Sequence, residues 1–241
     1  EKAAREASKK IESREMQVTI RKIFDVPGDS SNSEQAELDY WNEQLAAAVE
    51  DEERASIHYE RGLVFLERLQ KFDSAQVAFE RELELTKDEM KKINARIGLS
   101  RVFTALNSHA QAQVVLQEVL DSKRSSTELK QQVQIQLYDS YFRSKEFEKA
   151  QDGFESFAAQ FPEHDLAGYA LYRSGMVFAE RKEHAKARDK IQVVIDKYKS
   201  SKVYDKAVLA YAEQLIRQGD AYVCDLTPEQ EIGRASCRER V

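Results

Sequence analysis

Glycine, proline and cysteine are scarce in this chain of 241 residues, which holds eight, three and two of them respectively. Few turn formers favour long helices joined by short connections, because Gly and Pro mark most turns. Cys224 and Cys237 are too few for a disulfide framework, or for a zinc site without histidine help. Ala, Glu, Lys, Gln, Leu and Arg dominate instead, and alternating β-type patterns are rare. The sequence therefore predicts an all-α fold.

An excess of one charge sign is also missing, as are long apolar runs. Lys and Arg number 37 against 43 for Asp and Glu, which gives a formal net charge of −6 with both signs interspersed. This balance argues against nucleic acid as the main partner, since a backbone-binding surface usually carries a basic excess. No window approaches the roughly 18 consecutive apolar residues that a membrane span needs. The sequence predicts no transmembrane segment.

Catalytic signatures are absent from the sequence. None of the four histidines belongs to a metal-binding spacing or to a nucleophile arrangement: His58, His109, His164 and His184. There is no Gly-rich phosphate loop, and acidic pairs at helical spacing are expected by chance in so charged a chain. The sequence predicts no catalytic residue, no metal site, no cofactor and no enzyme activity.

A repeat runs through the middle of the chain. Four alanines can be aligned, at spacings of 35, 40 and 37 residues: Ala75, Ala110, Ala150 and Ala187. Gly98, Tyr138 and Gly175 each stand twelve positions before an aligned alanine. Small residues let two antiparallel helices approach closely, so these glycines and alanines are predicted helix–helix contacts. Four large apolar residues follow the alanines by four positions and are predicted core residues: Phe79, Val114, Phe154 and Ile191.

The third and fourth units resemble tetratricopeptide repeats, and in particular those of a bacterial envelope subfamily. The residues that carry the resemblance are Phe161-Pro162, Ala170-Leu171-Tyr172-Arg173-Ser174-Gly175, Ala187 and Tyr198. That subfamily includes a Tol-Pal-associated periplasmic protein and a lipoprotein of the outer-membrane β-barrel assembly machine. The resemblance implies a right-handed α-solenoid of four to five helix-turn-helix repeats, and a periplasmic or outer-membrane-associated location. A cytoplasmic location stays open.

The predicted organisation places one repeat domain between two flanking segments. Residues 1–24 form a charged extension, helical or disordered, and residues 25–35 form a linker, because Pro, Gly, Ser and Asn cluster there. The repeat domain covers 36–230, with a capping helix at 37–52, four repeats near 56–89, 91–124, 131–164 and 168–201, and a partial repeat at 205–230. Residues 231–241 continue no pattern and resemble vector-derived sequence.

A groove for a protein or peptide partner is predicted on the first helices of the repeats. In tetratricopeptide proteins the sixth position of that helix points into the concave groove, and here it holds Arg61, Arg96, Gln136 and Arg173. No arginine of this set has an acid three or four residues away on its own helix. We predict that these side chains, aided by Phe103, Phe142, Tyr169 and Tyr172, contact an acidic or carboxylate-terminated peptide. The alternative is that each Arg pairs with an acid of a neighbouring helix.

Three functional interpretations follow from the sequence. The first is a non-catalytic scaffold or adaptor that presents this groove to a partner, in a bacterial envelope complex. The second is the regulatory or targeting region of a larger enzyme. The third is a self-associating structural solenoid, with Leu209, Tyr211 and Leu215 exposed on an incomplete fifth unit.

Overall fold

Ten α-helices and no strand make up the part of the chain that the computed structural model describes, which is residues 30–218 with side chains from residue 35. The helices are α1 Ser30–Ala47, α2 Asp51–Glu67, α3 Phe72–Leu85, α4 Glu89–Ala105, α5 His109–Asp121, α6 Thr127–Arg143, α7 Phe147–Gln160, α8 Ala167–Glu180, α9 His184–Lys197 and α10 Tyr204–Gln218. Consecutive helices are joined by connections of three to six residues. The predicted all-α fold of helix-turn-helix repeats is confirmed.

The described residues divide into two compact units, 30–102 and 103–218, and the division falls within α4. In the first unit the core centres on Phe79 of α3, whose ring is fully buried. An ideal Cβ on Gly62 of α2 would lie 2.7 Å from this ring, and one on Gly98 of α4 would lie 2.6 Å from it. The absence of a side chain at both positions is what admits the phenylalanine ring between the two helices.

The second unit repeats this packing with different residues. In the pair α8 and α9, a Cβ on Gly175 would lie 2.7 Å from Ile191, which is fully buried. In the pair α6 and α7 the small residue is on the second helix: Gly153 admits the ring of Tyr138, which meets Phe154 edge-on with 5.7 Å between ring centroids. The predicted close contacts at Gly98 and Gly175 are therefore confirmed. At Tyr138 the large residue lies on the first helix and the small residue on the second.

The turn inside each helix pair has the same backbone conformation. The residue two positions before the second helix has a positive φ in all four pairs: 52° at Gln70, 56° at Asn107, 63° at Lys145 and 62° at Lys182. In the last three turns the amide of the following residue donates to a carbonyl five residues earlier, as in Glu146 N–H to Tyr141 O at 2.8 Å. This is the Schellman arrangement that ends many helices. It fixes the register between the two helices of a pair.

The alignment of the four alanines is wrong at Ala110. Ala75, Ala150 and Ala187 are each the fourth residue of a second helix and are fully buried. In α5 that place belongs to Ala112, which is fully buried, whereas Ala110 is exposed. Because α5 begins at His109, a shift of two residues turns Ala110 away from the core.

The core residue predicted four positions after Ala110 fails for the same reason. Val114 is 59 % exposed, and Leu116 is buried in its place. Phe79, Phe154 and Ile191 are buried as predicted. The corrected alanine spacings are 37, 38 and 37 residues, more regular than those read from the sequence.

Two of the predicted flanking segments differ from the structure. The linker prediction for 25–35 is wrong from residue 30 on, because α1 begins at Ser30; Ser and Asn also favour helix starts. The predicted capping helix 37–52 ends at Ala47, and α2 begins at Asp51. Trp41 of α1 is buried as a capping residue should be. The extension 1–24, Cys224 and the tail 231–241 lie outside the described residues.

Candidate protein-interaction surface

Arg173 of α8 and Asp139 of α6 form the centre of a polar surface in the second unit. Arg173 Nε donates to Asp139 Oδ1 over 2.6 Å, and the two side chains are 17 % and 24 % exposed. The pair joins the first helices of two neighbouring repeats. For Arg173 the alternative interpretation is therefore correct: an acid of a neighbouring helix neutralises part of its charge.

Aromatic rings support this ion pair. The Arg173 guanidinium lies over the Phe142 ring, 4.1 Å from its centroid, and 5.9 Å from that of Phe154. Tyr169 donates its hydroxyl hydrogen to Asp139 Oδ2 over 2.7 Å. Burial and the adjacent Asp139 carboxylate raise the pKa of Tyr169 above its ordinary value, so the phenol stays a proton donor. Both Asp139 oxygens are thus engaged, which holds Arg173 in one orientation.

The outer edge of Arg173 keeps hydrogen-bonding capacity. Only its Nε bonds to another group in the described part of the chain, so its two Nη groups donate to nothing there. Tyr172 beside it is half-buried, and Gln136 on α6 is exposed. Three predicted residues therefore come together on α6 and α8: Phe142, Tyr169 and Arg173. Tyr172 packs instead against the cluster around Ile191 of α9. A guanidinium edge flanked by aromatic side chains suits a partner carboxylate or backbone carbonyl.

Phe103 does not contribute to this surface. It is only 5 % exposed and belongs to the hydrophobic core, so its prediction as a groove contact is wrong. Phe103 stands six residues before α5, as Phe178 stands six residues before α9, and Phe178 is likewise 5 % exposed.

Arg61 and Arg96 lie in the first unit, in different surroundings. Arg61 is half-buried on α2 with its guanidinium 5.1 Å from the Phe65 ring centroid. Arg96 is half-buried on α4, where its charge adds to the Lys92 hydrogen bond in lowering the pKa of Glu89. Gln136 and Arg173 each stand eleven residues before a second helix that follows a three-residue connection, whereas Arg96 stands thirteen before one. Arg61 also stands eleven residues before α3, but the α2–α3 connection has four residues, so its place on the first helix is shifted by one. The predicted column of equivalent positions is broken at Arg61 and at Arg96.

The sequence interpretation missed Asp139 as a partner of Arg173. The usable signal was an acid one repeat earlier, 34 residues before Arg173. Recognising it requires the rotation of both helices, which a sequence pattern gives only approximately.

No group of three or more His, Cys, Asp or Glu side chains within 30–218 is placed to hold a metal ion. Among the helices of that range, none combines the length and apolar character of a bilayer span.

Comparison with known proteins supports the repeat assignment. Residues 100–218 match the family model described as YfiO, outer membrane lipoprotein. No curated protein matches the sequence significantly. Among solved structures, the apo form of RapI aligns with a TM-score of 0.65 and 16 % identity over 80 % of this chain and 56 % of RapI.

Two further structures were compared. A Rap protein complexed with competence and sporulation factor aligns with a TM-score of 0.52 and 17 % identity, over 76 % of this chain and 54 % of that one. MamA aligns with a TM-score of 0.49 and 18 % identity, over 73 % and 99 %. The chain spans just over half the length of the two Rap-type proteins. At these identities the likeness shows the fold alone.

The family match covers 119 of the 241 residues and includes the α6–α8 surface. Its description agrees with the envelope-type motif around Tyr172 and Gly175. The helix pairs, their repeated turns and this match together identify the chain as a tetratricopeptide-type repeat protein that resembles those of the bacterial envelope.

Proposed function

We propose that this protein is a non-catalytic adaptor that binds another protein through the α6–α8 surface, defined by Asp139, Phe142, Tyr169 and Arg173. The observation that carries the proposal is the fixed orientation of Arg173. Its Nε is bound to Asp139 and its face lies on Phe142, while both Nη groups remain available. A preorganised guanidinium loses little freedom on binding, and Arg and Tyr are enriched among residues that dominate interface energies.

The partner presents a hydrogen-bond acceptor to Arg173. Because Asp139 already balances the charge, the surface is less basic than an isolated arginine column, and a backbone carbonyl or a single carboxylate is sufficient. The family match supports an envelope complex as the setting, with the protein placed in the periplasm or at the outer membrane. The Rap complex with competence and sporulation factor supports partner binding by a fold of this kind.

Site-specific photo-crosslinking tests the proposal. A benzophenone amino acid at Gln136, exposed on α6, should crosslink a protein from a bacterial envelope extract. The same group at Gln117, exposed on α5, is the matched control. Crosslinking at Gln136 and its loss in an Arg173→Glu background support the proposal. Equal products from both positions, or products that Arg173→Glu leaves unchanged, contradict it.

A second candidate function, self-association, is favoured by the exposed apolar side of α10. Leu209 is 63 % exposed, Val208 41 % and Ile216 40 %. Tyr211 and Leu215, which the sequence also suggested, are half-buried. Leu209→Glu should lower the mass measured by light scattering if α10 mediates association. A monomer at every concentration, with or without the substitution, contradicts this candidate.

A further inference from the structure

A groove between α2 and α3 lies in the first unit, apart from the proposed adaptor surface. Its volume is about 280 Å³, enough for one or two side chains. The described residues that line it come from these two helices: His58, Arg61, Phe65, Asp73, Ser74, Val77 and Ala78. Phe65 is almost completely buried, and Val77 is 55 % exposed, so the groove has apolar walls that are open to an incoming group.

Two buried nitrogen atoms of the residues that line this groove have no hydrogen-bond partner among the described residues. Arg61 Nε and His58 Nδ1 are buried, and neither forms a hydrogen bond in the described part of the chain. Arg61 also has no carboxylate within ion-pair distance there, in contrast with Arg101 of α4, which is paired to Glu67 at 2.9 Å. Burial lowers the pKa of His58, and the Arg61 charge lowers it further. A buried guanidinium nitrogen left without an acceptor is costly, so the site favours an anionic occupant.

The equivalent place in the second unit is already filled by a carboxylate. Gly62 and Gly175 both face the large core residue of their own second helix, so the residues before them, Arg61 and Ser174, are equivalent. Ser174 Oγ donates to Glu155 Oε1 over 3.0 Å. Lys190, three residues after Ala187, binds the same oxygen at 2.9 Å. Glu155 belongs to α7, the second helix of the preceding pair.

The first unit lacks this carboxylate. Ala78, three residues after Ala75, takes the place of Lys190, and Arg61 takes the place of Ser174. The helix before α2 contributes Glu37 to Arg68 at 2.9 Å, at the C-terminal end of α2, and none of the described α1 side chains lines the groove. Arg61 therefore lies at the position where, in the second unit, Ser174 binds Glu155 of the preceding helix.

We infer that the Arg61 groove binds a glutamate or aspartate side chain of a protein partner, with a neighbouring aliphatic side chain on Phe65 and Val77. The carboxylate accepts from the Arg61 guanidinium on the α2 side, next to the His58 ring. Asp73, on the first turn of α3, lines the groove and repels a second acid, so one carboxylate flanked by apolar residues fits better than an acidic run. This site is independent of the proposed α6–α8 surface.

A pair of short peptides tests the inference on the full chain. NMR titration with acetyl-Leu-Glu-Leu-amide should shift the Arg61 Nε–Hε and His58 ring signals. The probe acetyl-Leu-Gln-Leu-amide should bind roughly tenfold more weakly, because it lacks the charge-assisted hydrogen bond. Arg61→Gln should remove the difference between the peptides. Arg101→Gln, which removes a paired arginine from the same unit, should leave it intact.

Three results would overturn the inference. They are equal affinity for the two peptides, an unchanged preference in Arg61→Gln, and no binding of either peptide to the wild-type chain. A helical circular dichroism spectrum equal to that of the wild type establishes that each variant is folded. Because the readout is local to α2, failure here leaves the crosslinking test at Gln136 unaffected.

Discussion

Gly98 lies against the face of Phe79 so closely that an added Cβ would be 2.6 Å from the ring. The ring is fully buried and also contacts the Tyr59 ring at 5.8 Å between centroids, so it has little room to move. This contact joins α3 to the helix that follows it. The repeat depends on helices approaching each other as closely as α3 and α4 do here.

Gly98→Ala should therefore destabilise the protein by about 1 to 3 kcal/mol through overpacking. In an unconstrained helix the same change would stabilise by roughly 0.5 to 1 kcal/mol. Urea unfolding followed by circular dichroism measures the difference. Phe79→Leu should reduce the cost of Gly98→Ala, and a cost that is the same in both backgrounds would show that the ring is not the obstacle.

The left-handed residues in the turns give a prediction of opposite sign. Lys145 and Lys182 have φ values of 63° and 62°, which L-residues other than Asn and Asp adopt at a cost. Lys182→Gly should stabilise by about 0.5 to 1 kcal/mol in urea unfolding. Asn107→Gly, at an equivalent turn with a residue that tolerates this conformation, should change stability less. A larger gain at Asn107 than at Lys182 would contradict this explanation.

Much of this architecture could be predicted from the sequence, and the register errors share one cause. Ala75, Ala150 and Ala187 were aligned correctly, and each lies three residues after a helix start. The sequence gives no sharp start for α5, so it could not decide between Ala110 and Ala112, and the wrong alanine was aligned. That two-residue slip also misplaced Val114 and Arg96.

The candidate site was only partly predictable for a different reason. Arg173, Tyr169 and Phe142 were singled out individually from their repeat positions. Their mutual contact through Asp139 depends on how far α6 and α8 rotate about their axes, to within one side chain. Helical periodicity determines a face about 100° wide, which is too coarse to choose an ion-pair partner.

Glu82 predicts a pH dependence of stability. Its side chain is 1 % exposed, and burial, opposed by the Lys91 charge, raises its pKa from 4.5 to about 8. Between these values the native state holds a proton that the unfolded state has lost, so the free energy of unfolding falls as pH rises, by at most about 1.4 kcal/mol per pH unit. Above about pH 8 this loss is complete.

Glu82→Gln should remove that dependence, because the amide does not titrate. Urea unfolding at pH 5, 7 and 8.5 should show the variant gaining on the wild type as pH increases. Glu84→Gln changes an exposed glutamate two residues further along α3 and serves as the control. Parallel curves for wild type and Glu82→Gln would mean that Glu82 is already ionised in the folded protein.

The central claim, that the oriented Arg173 guanidinium recognises a protein partner, is tested most directly by quantitative capture from an envelope extract with three immobilised proteins. These are the wild type, Arg173→Glu and Arg124→Glu, which makes the same charge change at an exposed residue between α5 and α6. The account predicts that the captured partner falls about tenfold or more with Arg173→Glu and is unchanged with Arg124→Glu. Equal capture by a fully helical Arg173→Glu protein would contradict it.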